Sequence, residues 1–273
     1  MVCLWLDLNS ISEGFSRALR FEGIDRRQID SELNGYFSLV EKLAKKSKAV
    51  VTTNFVMPAY FNGYGLSDLD ADIGLSYLLA EMNLKLYSFI SKISNAYCLD
   101  QTKWFVGENH YSAKLHFAAK IPYTQKVYER AAKDFIAGID AIYGLSKKLL
   151  VLDLDDTLWG GILGDDGMDN LLLGGHHPTG EAFVAFQKEI RALKNRGVVL
   201  AICSKNYEEN AVEMINHHPE MYLKMLDFSA WRINWEDKAK NILEIANELN
   251  LGLSSIVFID DNPSERGRIA EAL

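Results

Sequence analysis

The chain has 273 residues and a mass of 30.8 kDa, with 48% hydrophobic residues, 24% charged residues and a mean hydropathy of −0.06. A disordered, collagen-like or small disulfide-stapled chain is excluded, and the length suits two domains better than one. Lys and Arg number 29 against 37 Asp and Glu, a net charge of −8 with a pI near 5.3, which argues against nucleic acid or an anionic membrane as partner, because a polyanion needs a basic face.

Cys3, Cys98 and Cys203 lie too far apart for a disulfide framework or a zinc spacing, so the expected location is a reducing cytoplasm. No apolar run is long enough for a membrane span, and the start lacks the basic region of a signal peptide. Strand and helix then alternate along the chain. Residues 2–8 read as a strand. Residues 26–46 read as a helix with Ile29, Leu33, Phe37, Val40 and Ala44 at helical spacing. A strand at 49–55 precedes a loop at 56–68 that contains Pro58, Gly63 and Gly65. Residues 69–93 read as a helix with Leu75, Leu78, Leu79, Met82 and Leu86 on its apolar side, 96–99 as a short strand and 100–121 as irregular. Pro122 opens a helix that Gly144 closes.

Lys147 and Lys148 mark a boundary. Beyond them come a strand at 149–153, a helix at 180–196, a strand at 198–203, a helix at 207–216, a short strand near 223–228, a helix at 236–250, a strand at 255–259 and a last helix from Pro263. Short apolar strands between helices imply parallel sheets covered on both faces. The expectation is two three-layer α/β/α domains, residues 1–146 and 147–273, the second stopping one helix after its fourth strand.

Three strand ends of the second half carry polar residues, and ligands of such sheets bind beyond the carboxyl ends of the strands. They are Asp153-Leu154-Asp155-Asp156-Thr157, Ser204-Lys205-Asn206 and Asp260-Asp261-Asn262; Lys238 adds a cation near a helix start. Acids at such places also serve as helix caps and turns. Clustered carboxylates repel unless a cation sits among them, and oxygen donors without Cys or His point to Mg²⁺. A carboxylate beside Mg²⁺ can attack phosphorus and form an aspartyl phosphate. A second acid two residues on can protonate the leaving group, and Lys238 can hold the phosphate charge.

Asp153-x-Asp155-x-Thr157, Ser204, Lys238 and Asp260-Asp261 resemble, in order, the four motifs of the haloacid dehalogenase-like (HAD) superfamily, which implies a Rossmannoid fold with a parallel sheet. The resemblance implies Asp153 as nucleophile and metal ligand. Asp155 becomes the acid/base that also meets the metal through its carbonyl, and Thr157 the support of the turn in the phosphate-binding set. Ser204 and Lys238 bind phosphate, with Lys205 and Asn206 beside them. Asp261 is the direct metal ligand and Asp260 its supporting or water-mediated neighbour. The gaps between motifs are too short for a large cap, so the site is expected to be capless and open.

The flanking residues narrow the resemblance. Asp153 to Gly161, Gly164-Asp165-Asp166-Gly167, Gly180-Glu181-Ala182-Phe183, Cys203 to Asn206, Asn234-Trp235-Glu236-Asp237-Lys238 and Phe258 to Arg266 resemble the FkbH-like family, and the first half resembles more loosely that family's degenerate SGNH-hydrolase-like domain. This implies glyceryl transfer: phosphate is removed from 1,3-bisphosphoglycerate, a small phosphorylated three-carbon substrate, and a glyceryl thioester is left on the phosphopantetheine arm of an acyl carrier protein, in polyketide-type biosynthesis. A plain HAD phosphatase and a non-catalytic carrier-docking module are the alternatives. The family usually has Asn where this chain has Asp156, and the five strands usual in HAD sheets exceed the four counted here.

The acceptor thiol is either the carrier's own or an enzyme cysteine, and Cys203, beside Ser204, is the candidate; the competing reading is a small buried hydrophobe. Trp159 and Gly160-Gly161 read as a small flap or a packed hairpin, and His176, His177 and Arg266 as further phosphate-site candidates. The first half has Ser10 but no Gly-Asp-Ser block, and neither His110 nor His116 closes an Asp-x-x-His, so no hydrolase activity is expected there. Asn54, Asn83 and the loop 60–64 are cleft candidates. An acidic carrier would need a local basic face, such as Lys42, Lys45, Lys46 and Lys48, or Arg26 and Arg27.

Overall fold

The computed structural model describes residues 1–273 except Asn62, Glu108, Asn109 and His176. The chain forms two compact units, Met1–Gly144 and Leu145–Leu273.

Unit 1 runs β1 (Val2–Leu4), α1 (Leu8–Ile11), α2 (Glu13–Leu19), α3 (Arg26–Lys46), β2 (Val50–Thr53), α4 (Leu75–Ile90), β3 (Ala96–Leu99), α5 (Ala113–Ala119) and α6 (Gln125–Tyr143). Its sheet is parallel, in the order β1-β2-β3. The middle strand is buried along its whole length, which is why it reads as a continuous apolar and β-branched run. Asp25 caps α3 by accepting from the Gln28 amide at 3.1 Å, and the predicted stripe from Ile29 to Ala44 is the buried face. Gly144 closes α6 in the left-handed region at φ 73°, where a residue without Cβ is unstrained.

Several boundaries differ from expectation because side chains compete for backbone groups. The first strand stops at Leu4, since Asp7 caps α1 through the Asn9 amide at 3.2 Å. The Asp70 carboxylate takes the amides of Asp72 and Ile73 at 2.9 and 3.1 Å, which delays α4 to Leu75. The stretch 100–121 holds a 3-10 turn, Gln101–Phe105, and α5, capped by Asp100 and Ser112.

Unit 2 runs β4 (Leu149–Leu152), α7 (Leu163–Asp166), α8 (Pro178–Asn195), β5 (Val199–Ser204), α9 (Glu208–His217), β6 (Ala230–Ile233), α10 (Lys238–Glu248), β7 (Ile256–Ile259) and α11 (Pro263–Ala272). The strand expected near 223–228 is instead a 3-10 turn, Met225–Asp227, with β6 after it. The buried Asp227 carboxylate explains the change: it accepts from the Lys224 amide at 2.9 Å and Lys194 Nζ at 2.6 Å and pairs with Arg191.

The sheet is parallel, in the order β6-β5-β4-β7. Alternation along β4 and β5 sends Leu150, Leu152, Leu200 and Ile202 to a core with α8 and α9, and Leu149, Val151, Ala201 and Cys203 to one with α10 and α11. Each fully enclosed Leu, Ile or Val contributes roughly 1.5–3 kcal/mol. The chain steps outward from β4 to β5 to β6, then returns to the other side of β4 as β7. The carboxyl ends of β4 and β7 therefore flank the point where strand order reverses, the crevice where such sheets bind ligands. Between β4 and α8 the described residues form α7, a 3-10 turn, a parallel Asp155–Trp159 bridge and an antiparallel Gly160–Leu172 bridge, with no inserted domain among them.

Candidate active site

Asp153 follows β4 and Asp260 follows β7, tied by the Asp153 amide to the Ile259 carbonyl at 2.9 Å. Lys238 is the first residue of α10, and its start is fixed by Asn234 and Asp237. Asn234 Oδ1 accepts from the Glu236 amide at 3.0 Å and Asn241 Nδ2 at 2.8 Å, and Asp237 accepts from the Lys240 amide at 3.1 Å. This sets Lys238 Nζ between two carboxylates, 2.9 Å from Asp153 Oδ2 and 2.5 Å from Asp260 Oδ2. All three residues are buried.

One ammonium between two buried acids leaves a net negative charge. Burial pushes the Asp153 carboxyl up, against the Lys238 cation and the Ser204 hydroxyl, and Asp260 adds to the rise. For Lys238, burial acts downward but the two acids prevail, and the net direction is upward. Asp153 Oδ1 is buried with no hydrogen-bond partner, at a cost of about 1–3 kcal/mol if it stays unpaired. One carboxylate oxygen from each of Asp153, Asp260 and Asp261 lies within 4.8 Å of the others. An orphaned buried oxygen, an all-oxygen donor set and excess negative charge fit a hard divalent cation. Asp260 Oδ1 accepts from the Asn262 amide at 2.8 Å, while no hydrogen bond among the described residues engages the Asp261 carboxylate.

Asp155 is held by three donors. Its Oδ1 accepts from Trp159 Nε1 at 2.9 Å and the Leu163 amide at 3.0 Å, and its Oδ2 from Asn206 Nδ2 at 2.8 Å. Burial raises its pKa despite these bonds. The carboxylate being so occupied, the atom Asp155 would offer a metal is its main-chain carbonyl. Trp159 is enclosed in the core, which settles it as a packed residue aimed at Asp155. Gly160 beside it has no room for a side chain: a Cβ there would lie 2.8 Å from Phe183 Cε2 and 3.1 Å from Leu172 Cβ. Asp156 is exposed, left-handed at φ 49°, and accepts from the Gly161 amide at 2.7 Å. Asn and Asp share the tolerance for that conformation, which accounts for either at this position.

Thr157 Oγ1 accepts from the Asp261 amide at 3.2 Å, so it ties the β4 loop to the β7 loop. Arg266 donates to the carbonyls of Asp260 and Asp261 at 2.6 Å each; it clamps the ligand loop. Ser204 ends β5, buried beside Asp153. Of its two neighbours, Asn206 reaches Asp155, and Lys205 Nζ pairs with Glu265 at 2.6 Å. His177 caps α8, its Nδ1 accepting from the Thr179 amide at 3.2 Å, and His176 lies outside the described residues.

Cys203 requires a correction. Its side chain is fully buried on the α10 face of β5, 3.7 Å from the Lys238 carbonyl. Burial pushes its thiol up to about 12. These are the properties of a packed thiol and not of an acyl-carrying nucleophile.

In unit 1, Ser10 Oγ donates to the Asp7 cap at 3.0 Å. Asn83 holds both backbone groups of Phe55 at 2.8 and 2.9 Å, and Asn54 Oδ1 accepts from the Gln101 amide at 2.9 Å. These cleft candidates are backbone braces. Two residues to which the sequence reading gave no role neighbour site residues along the chain: Tyr207, next to Asn206, and Trp235, three before Lys238. They are 62% and 64% exposed and meet edge-on at 5.7 Å. Exposed aromatics on two neighbouring strand-end loops were the available signal.

No family model matches the chain, and no curated protein sequence does. A crystal structure titled as the N-terminal part of the protein BF1531 from Bacteroides fragilis, containing a phosphatase domain complexed with Mg, does match. It superposes with a TM-score of 0.81 at 30% identity, covering 94% of this chain and 70% of that one. A parallel Rossmannoid sheet with acids at its switch point matches the HAD-like phosphatase fold. The chain belongs to the HAD-like phosphatase family represented by that Bacteroides protein.

Proposed function

We propose that this chain is a Mg²⁺-dependent HAD-type phosphatase that acts, in the FkbH-like manner, as a glyceryl transferase. The observation that carries the reading is the buried Asp153–Lys238–Asp260 constellation with its orphaned Asp153 oxygen. Asp153, Asp261 and Asp260 would hold Mg²⁺, joined by the Asp155 carbonyl. When bound, the ion neutralises the carboxylates and the phosphate oxygens. Asp153 attacks phosphorus, the bond to the leaving oxygen breaks, and Asp155 gives that oxygen its proton; water then releases phosphate from Asp153 with Asp155 as base. Lys238 and Ser204 hold the phosphoryl oxygens.

The substrate of this reading is 1,3-bisphosphoglycerate. The carrier's phosphopantetheine thiolate attacks the acyl carbonyl and expels phosphate, and the remaining phosphate ester is hydrolysed through Asp153. Three features support a carrier-borne acceptor: no inserted domain among the described residues between β4 and α8, the exposed Tyr207–Trp235 pair next to site residues along the chain, and a buried Cys203 that leaves the acceptor thiol to the partner. The test is intact mass of an acyl carrier protein after incubation with enzyme, 1,3-bisphosphoglycerate and Mg²⁺. A glyceryl adduct is expected. Phosphate release without the adduct leaves a plain phosphatase, and neither product leaves a docking module.

Two substitutions sharpen the assignment. Cys203→Ala is expected to keep kcat within about twofold, since a buried high-pKa thiol does not react; a kcat reduced a hundredfold in a folded variant would restore it as a nucleophile. Asn206→Ala loosens Asp155 and is expected to slow alkyl phosphates by about 10- to 100-fold, while aryl phosphates, whose leaving groups need no proton, change little. Parallel losses on both substrate types would make Asn206 a structural brace only.

A further inference from the structure

Unit 1 contains a cavity of about 450 Å³ that the phosphatase chemistry does not use. It lies at the carboxyl edge of the first sheet, lined by the residues following β1, Trp5 to Asn9, and by residues following β2, among them Val56 and Tyr60. That edge is where parallel α/β sheets take ligands, and the volume is in the range of small-molecule sites.

The walls are aromatic. Trp5 lies parallel to Tyr123 at 5.8 Å and edge-on to Tyr128 at 5.4 Å, and its indole nitrogen is fixed to Gln101 at 2.9 Å. Tyr60 and Tyr111 each contact the His116 ring at 5.8 Å.

The charged lining is one acid and one lysine, Asp7 and Lys120, and His116 adds a ring whose Nδ1 is buried without a hydrogen-bond partner. The acid, Asp7, is already engaged as the α1 cap, accepting from the Asn9 amide and from Ser10 Oγ. The ammonium of Lys120 has no partner among the described residues. Lys120 sits at the end of α5 in the left-handed region at φ 58°, a conformation disfavoured for a residue with a side chain. Tyr123 presents a phenol hydroxyl, and burial pushes its pKa up to about 12. The cavity thus offers a flat aromatic wall, tyrosine hydroxyls, the His116 ring, a carboxylate that is already hydrogen-bonded, and a lysine with no ion-pair partner among the described residues.

We propose that this cavity binds a small organic carboxylate with a planar or apolar body, Lys120 pairing with the head and the Trp5–Tyr123 wall packing against the body. An amine would meet Lys120 as a like charge and find the Asp7 carboxylate already holding the Asn9 amide and Ser10 Oγ, and a sugar would leave the lysine without a partner. The site is independent of the carboxylate cluster in unit 2, so it stands or falls apart from the phosphatase reading.

The test is calorimetric titration of the full chain with 4-phenylbutyrate, and with 4-phenylbutylamine and methyl glucoside as probes of equal access. Saturable binding of the carboxylate is expected. Lys120→Ala should weaken it about three- to fivefold, the worth of a partly exposed ion pair, and Tyr60→Ala, in an exposed loop, should weaken it as well. Asp153→Asn should bind as the wild type does. No saturation, tighter binding of the amine or glucoside, or full affinity in a folded Lys120→Ala protein would overturn the proposal.

Discussion

Asp153→Asn is expected to lower kcat for phosphate release by about 10³-fold or more while leaving the melting temperature unchanged or higher. The amide keeps the volume and the β4 end, but its oxygen is a poor nucleophile toward phosphorus. Removing the charge also removes the repulsion between Asp153 and Asp260 and the desolvation cost of a buried carboxylate, against the loss of one of the two ion pairs of Lys238. Activity and stability should therefore move independently, as they do when a site is strained for function. Steady-state kinetics paired with thermal melts check this. A folded variant retaining a tenth of the activity would remove Asp153 from the chemistry.

Lys238→Met is expected to destabilise the metal-free protein by about 3–5 kcal/mol, the penalty for stripping a buried charge cluster of its counter-ion. Among the described residues, Nζ is the cation that bridges Asp153 and Asp260, at 2.9 and 2.5 Å. Without it two buried carboxylates face each other, and one must take up a proton or draw in water. Added Mg²⁺ should recover much of the loss, because a ligand that binds only the folded state stabilises it by mass action and here it replaces the missing charge. Urea unfolding with and without Mg²⁺ measures both quantities. Equal stability of variant and wild type without metal would mean that the cluster is not the charge trap described.

The parallel sheets and their helices were legible because short apolar strands and amphipathic helices leave different periods. Asp153, Ser204 and Asp260 stood out because each ends or follows an apolar strand. What stayed hidden is long-range pairing between polar side chains. Asn206 to Asp155, Thr157 to the Asp261 amide, and Lys205 to Glu265 join segments 51 to 104 residues apart, and no local pattern encodes such partners. Cys203 was ambiguous for a related reason: alternation along β5 places it on a core face, yet its position beside Ser204 looks reactive in the sequence. The turn at Met225–Asp227 was missed because the apolar run around it reads as strand, while the buried Asp227 that organises the turn takes its cations from α8.

The most direct test of the account is acid quench of the enzyme during turnover of a phosphoester with Mg²⁺, followed by peptide mass spectrometry, using Asp155→Asn to slow loss of the adduct. One phosphoryl group on Asp153 is predicted, abolished by chelation of the metal and absent from Asp153→Asn. Turnover with no adduct on Asp153, or with the phosphoryl group on another residue, would contradict it.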